Sequence, residues 1–205
     1  PAPCDSIRFL RYRLRDVAHG DPEAGNPPRR VVIPGASPVD MAGMDAALLL
    51  MPGILEGNTC FRNIGRQLVY IAKTQRDATI EVWAFDRRPN CAEDLTGLNA
   101  AEKAHDTQIA IDYYWNGMAI EGTVFPGYLK DKDVPFLSEF GLKLLVEDVF
   151  PILTTMVPDQ AVRQRKVFVG GHSLAGVITA PAPERAAGEP GREAVGIVVA
   201  AVVSL

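Results

Sequence analysis

Short apolar runs alternate along the chain with longer segments in which apolar residues recur every three or four positions. Two runs near the amino terminus, residues 8–14 and 31–33, have the length of strands, and a loop rich in Pro and Gly, residues 20–28, separates them. We expect both to be edge strands, and we interpret the arginine-rich stretch from Arg8 to Arg15 as a solvated strand face.

Three later runs are typical of core strands. Ala46–Met51 is continuously apolar and ends at Pro52 and Gly53, as a strand buried on both faces would. Residues 79–85 alternate between apolar and other side chains, and residues 166–170 form a β-branched run. We therefore expect three central strands.

Helical spacing fills the intervals between these runs. Asn58 or Thr59 is predicted to cap a first helix, whose last turn carries Lys73. A later helix is predicted over residues 142–156, where Pro151 should kink or split it.

A further helix is predicted between these two. Asn99 and Glu102 form a capping-box-like start, the helix would reach Trp115, and Gly117 is placed to end it. Its aromatic end is interpreted as packing.

The alternation of strand and helix from residue 46 onward predicts an α/β fold, with a mainly parallel sheet covered by helices on both faces. With 205 residues, 47% of them hydrophobic, the chain is predicted to form one domain. Residues 1–45 would supply edge strands and loops, residues 46–180 the core, and residues 181–205 an atypical tail with a last strand.

Candidate chemistry lies at the end of the third core strand. Residues 171–176 read Gly-His-Ser-Leu-Ala-Gly, a glycine-lined turn between a strand and a predicted helix. Such a turn is the layout of a nucleophile elbow, and it holds a serine hydroxyl clear of the sheet. Ala175 stands where the strict pattern has glycine, so small size is kept. Ser173 is the predicted nucleophile, against the alternative of a chance match in a glycine-rich chain.

Composition and charge exclude other classes. A formal net charge of −4 gives no electrostatic footprint for nucleic acid, so no such partner is assigned. The longest apolar stretch, residues 194–205, is too short to span a bilayer and favours a buried strand. No metal or other cofactor is predicted, because the histidines are far apart and no paired helical ligands occur.

Three cysteines are too few for a disulfide framework or a zinc site. If the protein is exported, Cys60 and Cys91 are the favoured pair for one bridge. The chain starts at Pro1, and removal of an export signal is one explanation. Export is therefore favoured over a cytoplasmic location.

The elbow after the third core strand resembles that of the α/β-hydrolase superfamily of lipases, esterases and thioesterases. The resemblance implies an oxyanion hole built from the backbone N–H of Leu174 and an N–H after the earlier core strand, for which Ile54 is the candidate. It also implies a small ester-like or lipid-like substrate.

The chain departs from this family after Ser173. The family order places an acid and then a histidine downstream, but no histidine or aspartate follows. The downstream carboxylates are those of Glu184, Glu189 and Glu193, in a segment interpreted as a solvated loop. The acid and the histidine are therefore left unassigned, and the chain is expected to be altered or cut short after the elbow.

The remaining histidines are weak candidates for a base. His172 is expected to have a structural role beside the turn, while His19 and His105 are interpreted as surface residues. Because a serine without a base is a poor nucleophile, this exact chain is expected to be weak or inactive.

Two functional hypotheses remain. The first is a serine hydrolase that cleaves a carboxylic ester or thioester through an acyl-Ser173 intermediate. The second is a catalytically incomplete domain of the same fold with a binding or structural role. A dinucleotide-binding fold is rejected because the glycines do not make GxGxxG. An exposed sheet edge near residues 196–199 predicts self-association.

Overall fold

A computed structural model describes residues 4–14, 28–54 and 56–179 of the chain. Within these residues, five strands are present: β1 Ile7–Arg13, β2 Arg29–Ile33, β3 Ala46–Met51, β4 Ile80–Phe85 and β5 Val167–Gly171. The α-helices are α1 Arg62–Arg76, α2 Thr96–Ala104, α3 Gln108–Trp115, α4 Leu142–Met156, α5 Gln160–Lys166 and α6 Leu174–Thr179. Short 3-10 segments lie at Asn58–Phe61, Arg88–Ala92, Asp131–Asp133 and Pro135–Glu139.

The strands form one mixed sheet in the order β2-β1-β4-β3-β5. β3 runs parallel to both β4 and β5, whereas β1 runs antiparallel to both β2 and β4. The α/β class is therefore confirmed, but the sheet is mixed rather than mainly parallel. β2 lies at an edge as expected, and the prediction of an edge position for β1 is wrong.

A buried ion pair explains why β1 was misplaced. The Arg11 guanidinium pairs with the Glu81 carboxylate on the neighbouring strand β4, and Trp83 Nε1 also donates to Glu81 at 2.9 Å. Burying charge is costly unless the charge is paired and hydrogen-bonded, which these contacts achieve. An arginine from a stretch that was interpreted as a solvated strand face is thus largely shielded from solvent within the sheet.

The two faces of the sheet bury separate apolar clusters. Along β3, Leu49 and Met51 join a cluster that includes Ile152 and Met156 of α4. The intervening residue Leu48 packs on the opposite face, in a cluster with Val69 of α1. Successive side chains of a strand point to opposite faces, so the continuous apolar run of β3 serves both clusters.

The ends and interiors of two helices differ from the predictions. α1 has no side-chain cap; Asn58 instead uses its amide group to bind the Asp86 carboxylate. α4 is not split at Pro151. Proline inside a helix costs stability, but the burial of Ile152 and Leu153 against the sheet favours a continuous helix here.

The single helix predicted to reach Trp115 is two helices, α2 and α3. They are separated at His105, which ends α2 in a left-handed conformation with φ 54°. Asp106 then accepts a hydrogen bond from the backbone of Gln108 at 2.9 Å at the start of α3. A short polar side chain that binds a nearby backbone amide favours a turn over a continuing helix.

Contacts among the described residues divide them into two compact units. The first contains the sheet, with residues up to Asn90 and from Phe140 onward, and the second contains residues 91–139. The division into segments 1–45, 46–180 and 181–205 stays a prediction. Several predicted features lie outside the described residues: His19, most of the loop 20–28, Leu55, and the tail with its three glutamates and last strand.

Candidate active site

Ser173 lies in a tight turn between β5 and α6. Its backbone is left-handed, with φ 54°, and the residue is exposed. Gly171 makes this turn possible, because a Cβ there would lie 2.4 Å from the backbone carbon and oxygen of Ala175. The strand and the helix therefore approach as closely as a nucleophile elbow requires.

The turn after β3 lies directly beside Ser173. β3 and β5 pair up to Met51 and Gly171, and the His172 amide donates to the Met51 carbonyl at 3.1 Å. The position that a Cβ on Gly53 would occupy is 3.2 Å from Ser173 Cβ. The absence of a side chain at Gly53 thus leaves room for Ser173.

Glu56 connects these two turns. One oxygen of its carboxylate, Oε2, accepts a hydrogen bond from the Gly53 amide at 2.7 Å and lies 2.9 Å from Nδ1 of His172. We call Gly53, Glu56 and His172, joined in this way, the Glu56 bridge. His172 therefore has a defined contact immediately beside Ser173 in the chain.

The electrostatics of the Glu56 bridge favour an ionised carboxylate. Desolvation would raise the pKa of Glu56, but hydrogen bonds from His172 and Gly53 outweigh it and hold the pKa below its ordinary value of 4.5. The same negative charge acts on Cys60. Desolvation, followed by the charge of Glu56, raises the pKa of the Cys60 thiol to about 12.

The predicted pairing of Cys60 with Cys91 is wrong. Cys4 and Cys91 are disulfide-bonded, whereas Cys60 has a free thiol. With its pKa at about 12, that thiol carries almost no thiolate at neutral pH and is a poor nucleophile. Cys60 is therefore not a second candidate nucleophile.

The backbone amides of Leu174 and Ile54 are the predicted oxyanion-hole donors. Leu174 follows Ser173 in the sequence, and Ile54 follows Gly53. Leu174 is the first residue of α6, where helix N–H groups have no partner within the helix. The Ile54 carbonyl accepts a hydrogen bond from Arg87. Among the described residues, neither the Leu174 nor the Ile54 amide has a hydrogen-bond acceptor. Both remain available to a ligand oxygen.

No described histidine makes a hydrogen bond to Ser173. His105 ends α2, and His172 has Nδ1 engaged with the Glu56 carboxylate. The Ser173 hydroxyl makes no hydrogen bond to a described residue. The acid and the base of a triad thus remain unassigned.

Other features of the described residues lie away from Ser173. A cavity of about 420 Å³ is lined by Arg11, Arg13, Lys73 and Glu81, toward the start of β4 rather than the end of β5. Among the residues described, no group of His, Cys, Asp or Glu side chains could hold a metal ion. None of the helices in this part of the chain is long and apolar enough to cross a bilayer.

Sequence reasoning missed Glu56, although a signal was present. The residue lies three positions after Gly53, and a glutamate in that relation can reach back to the earlier amide as in a capping box. The contact with His172 had no such signal, because it joins residues 116 positions apart.

Comparison with protein-family models, curated proteins and solved structures finds no match for this chain. The function of this protein is therefore inferred from the geometry and chemistry of the site itself.

Proposed function

We propose that this protein is a serine hydrolase of the α/β-hydrolase type, which cleaves a carboxylic ester or thioester through an acyl-Ser173 intermediate. The observation that carries the proposal is the conformation of Ser173: an exposed serine, left-handed at φ 54°, in a turn closed by the contact of Gly171 with Ala175. Backbone strain of this kind is found at functional sites when the surrounding structure maintains it.

The surroundings of Ser173 support acyl transfer. Attack of the hydroxyl oxygen on a carbonyl carbon creates a tetrahedral oxyanion, which needs preorganised donors. The Leu174 and Ile54 amides have no acceptor among the described residues and are our candidates for these donors. Loss of one such donor costs about 3 kcal/mol of transition-state stabilisation.

Attack by Ser173 also needs a group that accepts the hydroxyl proton. We assign no residue to this role, because neither His172 nor any other described residue makes a hydrogen bond to the Ser173 hydroxyl. This observation favours the second candidate function, a binding domain in which Ser173 is not activated. The two candidates differ in one measurable property, the reactivity of Ser173.

Intact-mass analysis after exposure to a fluorophosphonate tests that property. We expect one adduct on the wild-type protein, its loss in Ser173→Ala, and its retention in Ser37→Ala, which removes another exposed serine. Circular dichroism should show that all three proteins are folded. A folded wild-type protein that acquires no adduct would rule out an activated serine and leave the binding function.

A further inference from the structure

We propose that Glu56 is a positioning residue, which sets the spacing between the segment carrying the Ile54 amide and the turn carrying Ser173 and Leu174. This inference rests on the proposed hydrolase function. Glu56 would not touch the substrate; it would act through the two backbone segments that it joins.

The geometry of the Glu56 bridge places the carboxylate next to the nucleophile. The Cβ position of Gly53 is 2.8 Å from Glu56 Oε2 and 3.2 Å from Ser173 Cβ. The carboxylate oxygen and the nucleophile therefore contact the same glycine. Because the Gly53 N–H points at Glu56, the bridge also fixes the orientation of the peptide that leads into Ile54.

Backbone pairing ends just before this point. β3 and β5 are joined through Met51 and Gly171, and the last backbone hydrogen bond between the two segments runs from the His172 amide to the Met51 carbonyl. Among the described residues, no backbone–backbone hydrogen bond links residues 52–54 or 56–57 to Ser173 or Leu174. The side chain of Glu56 thus continues the connection where the sheet stops.

The other contacts of this segment lead elsewhere. The Ile54 and Glu56 carbonyls accept hydrogen bonds from Arg87, and the Glu56 carbonyl also accepts one from Asn90. These bonds tie the segment to the end of β4, not to the Ser173 turn. Only the Glu56 carboxylate among these contacts spans the two turns that would form the oxyanion hole.

An ionised acceptor suits this role. The hydrogen bonds from Gly53 and His172 lower the pKa of Glu56, so the carboxylate is charged at neutral pH. Hydrogen bonds to a charged group are shorter and stronger than neutral ones. The bridge is therefore stiffer than an uncharged contact would be, and stiffness is what a preorganised oxyanion hole needs.

Glu56→Ala and Glu56→Gln test the inference by steady-state hydrolysis of a p-nitrophenyl ester. We expect Glu56→Ala to lower kcat by roughly 10–100-fold with KM nearly unchanged, since the donors shift rather than disappear. Glu56→Gln keeps an oxygen for the Gly53 amide but loses the charge, so its kcat should fall less than that of Glu56→Ala. Glu147→Ala, which removes a carboxylate paired only at 3.7 Å with Lys143, should match the wild type.

Inhibition by a trifluoromethyl ketone gives a readout that a purely structural role would not change. The inhibitor forms an oxyanion on Ser173, so its inhibition constant should rise in Glu56→Ala by the same factor as kcat falls. Equal losses in Glu56→Ala and Glu56→Gln, or an unchanged inhibition constant, would overturn the positioning role.

Hydrogen exchange separates this inference from the proposed function, because it needs no activity. In Glu56→Ala, amide exchange should accelerate in peptides covering both residues 50–57 and residues 170–176. Acceleration in the first peptide alone would refute the bridge even if Ser173 is reactive. If Glu56→Ala does not fold, His172→Ala removes the other end of the bridge and should give the same coupled pattern. In one outcome the wild type forms no fluorophosphonate adduct while Glu56→Ala still accelerates exchange in both peptides. That result would refute the hydrolase function and leave the bridge.

Discussion

Two left-handed residues of the first unit, Ser173 and Asp77, have nearly the same backbone φ, 54° and 49°, but very different surroundings. Asp77 ends α1: its amide donates to the Lys73 carbonyl, and the following amide of Ala78 donates to the Ala72 carbonyl. This is the usual way in which a helix closes its last carbonyls. The left-handed conformation of Asp77 is therefore explained by local structure alone.

Ser173 has a different setting, a turn in which the Ala175 amide donates to the His172 carbonyl at 3.0 Å. It starts a helix rather than ending one, its hydroxyl has no described partner, and Gly53 leaves room beside its Cβ. The comparison shows that a positive φ does not by itself identify a functional residue. What distinguishes Ser173 is that the surrounding backbone enforces the strain without gaining a helix end from it.

Among the substitutions that test this difference, Gly171→Ala should reduce the free energy of unfolding most. The added Cβ would lie 2.4 Å from backbone atoms of Ala175, which cannot move aside as a flexible side chain could. We expect the free energy of unfolding to fall by about 3 kcal/mol or more. Urea denaturation followed by circular dichroism measures the change.

Gly43→Ala is the matched control for Gly171→Ala. A Cβ on Gly43 would have no heavy atom within 4 Å, so we expect a change within about 0.5 kcal/mol. Similar losses for the two substitutions would mean that the Ser173 turn is not sterically closed, and the contrast with Asp77 would disappear.

Ser173→Gly should change the free energy of unfolding less than Gly171→Ala does, and it should be more stable than Ser173→Ala. A left-handed conformation costs an L-residue about 1–2 kcal/mol, and glycine adopts it freely but gains entropy when unfolded. We expect Ser173→Gly to exceed Ser173→Ala in unfolding free energy by about 0.5–1 kcal/mol.

The same pair of substitutions at Asp77 separates backbone strain from reactivity. Asp77→Gly should likewise be more stable than Asp77→Ala, because the backbone conformation is the same. Only the substitutions at Ser173 should abolish the fluorophosphonate adduct. A Ser173→Gly protein less stable than Ser173→Ala would contradict strain at the elbow.

How far the sequence predicts this fold depends on whether local pattern or distant contact determines each element. β3 was predicted with its observed bounds, because a continuous apolar run marks a strand buried on both faces. β1 was misjudged because the partner that neutralises Arg11, Glu81, lies 70 positions away. The break at His105 was missed because a capping-box pattern at Asn99 outweighed the local polar signals.

The candidate site follows the same division. Ser173 lies in the predicted strand-to-helix turn, because the glycines that permit the turn are local to it. The contact of Glu56 with His172 joins residues 116 positions apart, and no spacing rule supplies it or the oxidation state of each cysteine. The assignments of Leu174 and Ile54 stay predictions until oxyanion binding is measured.

The pH dependence of stability gives the smallest of the expected effects. The folded pKa of Glu56 is lowered, so its contribution to stability is fully present above its ordinary value of 4.5 and is lost as the pH falls through the folded pKa. Urea denaturation at a series of pH values should therefore show a steeper loss of stability with acidification in the wild type than in Glu56→Gln.

Asp77→Asn is the control that relates this pH effect to the two turns. The pKa of Asp77 is also lowered, by its hydrogen bond and charge interaction with Lys73, but its side chain is 91% exposed. Solvent screens such a pair. Removing it should therefore change the loss of unfolding free energy at acid pH less than removing Glu56 does. The two variants reduce the acid dependence of the unfolding free energy equally only if the Glu56 bridge is no stronger than a surface ion pair. A bridge that weak could not fix the position of the Ser173 turn.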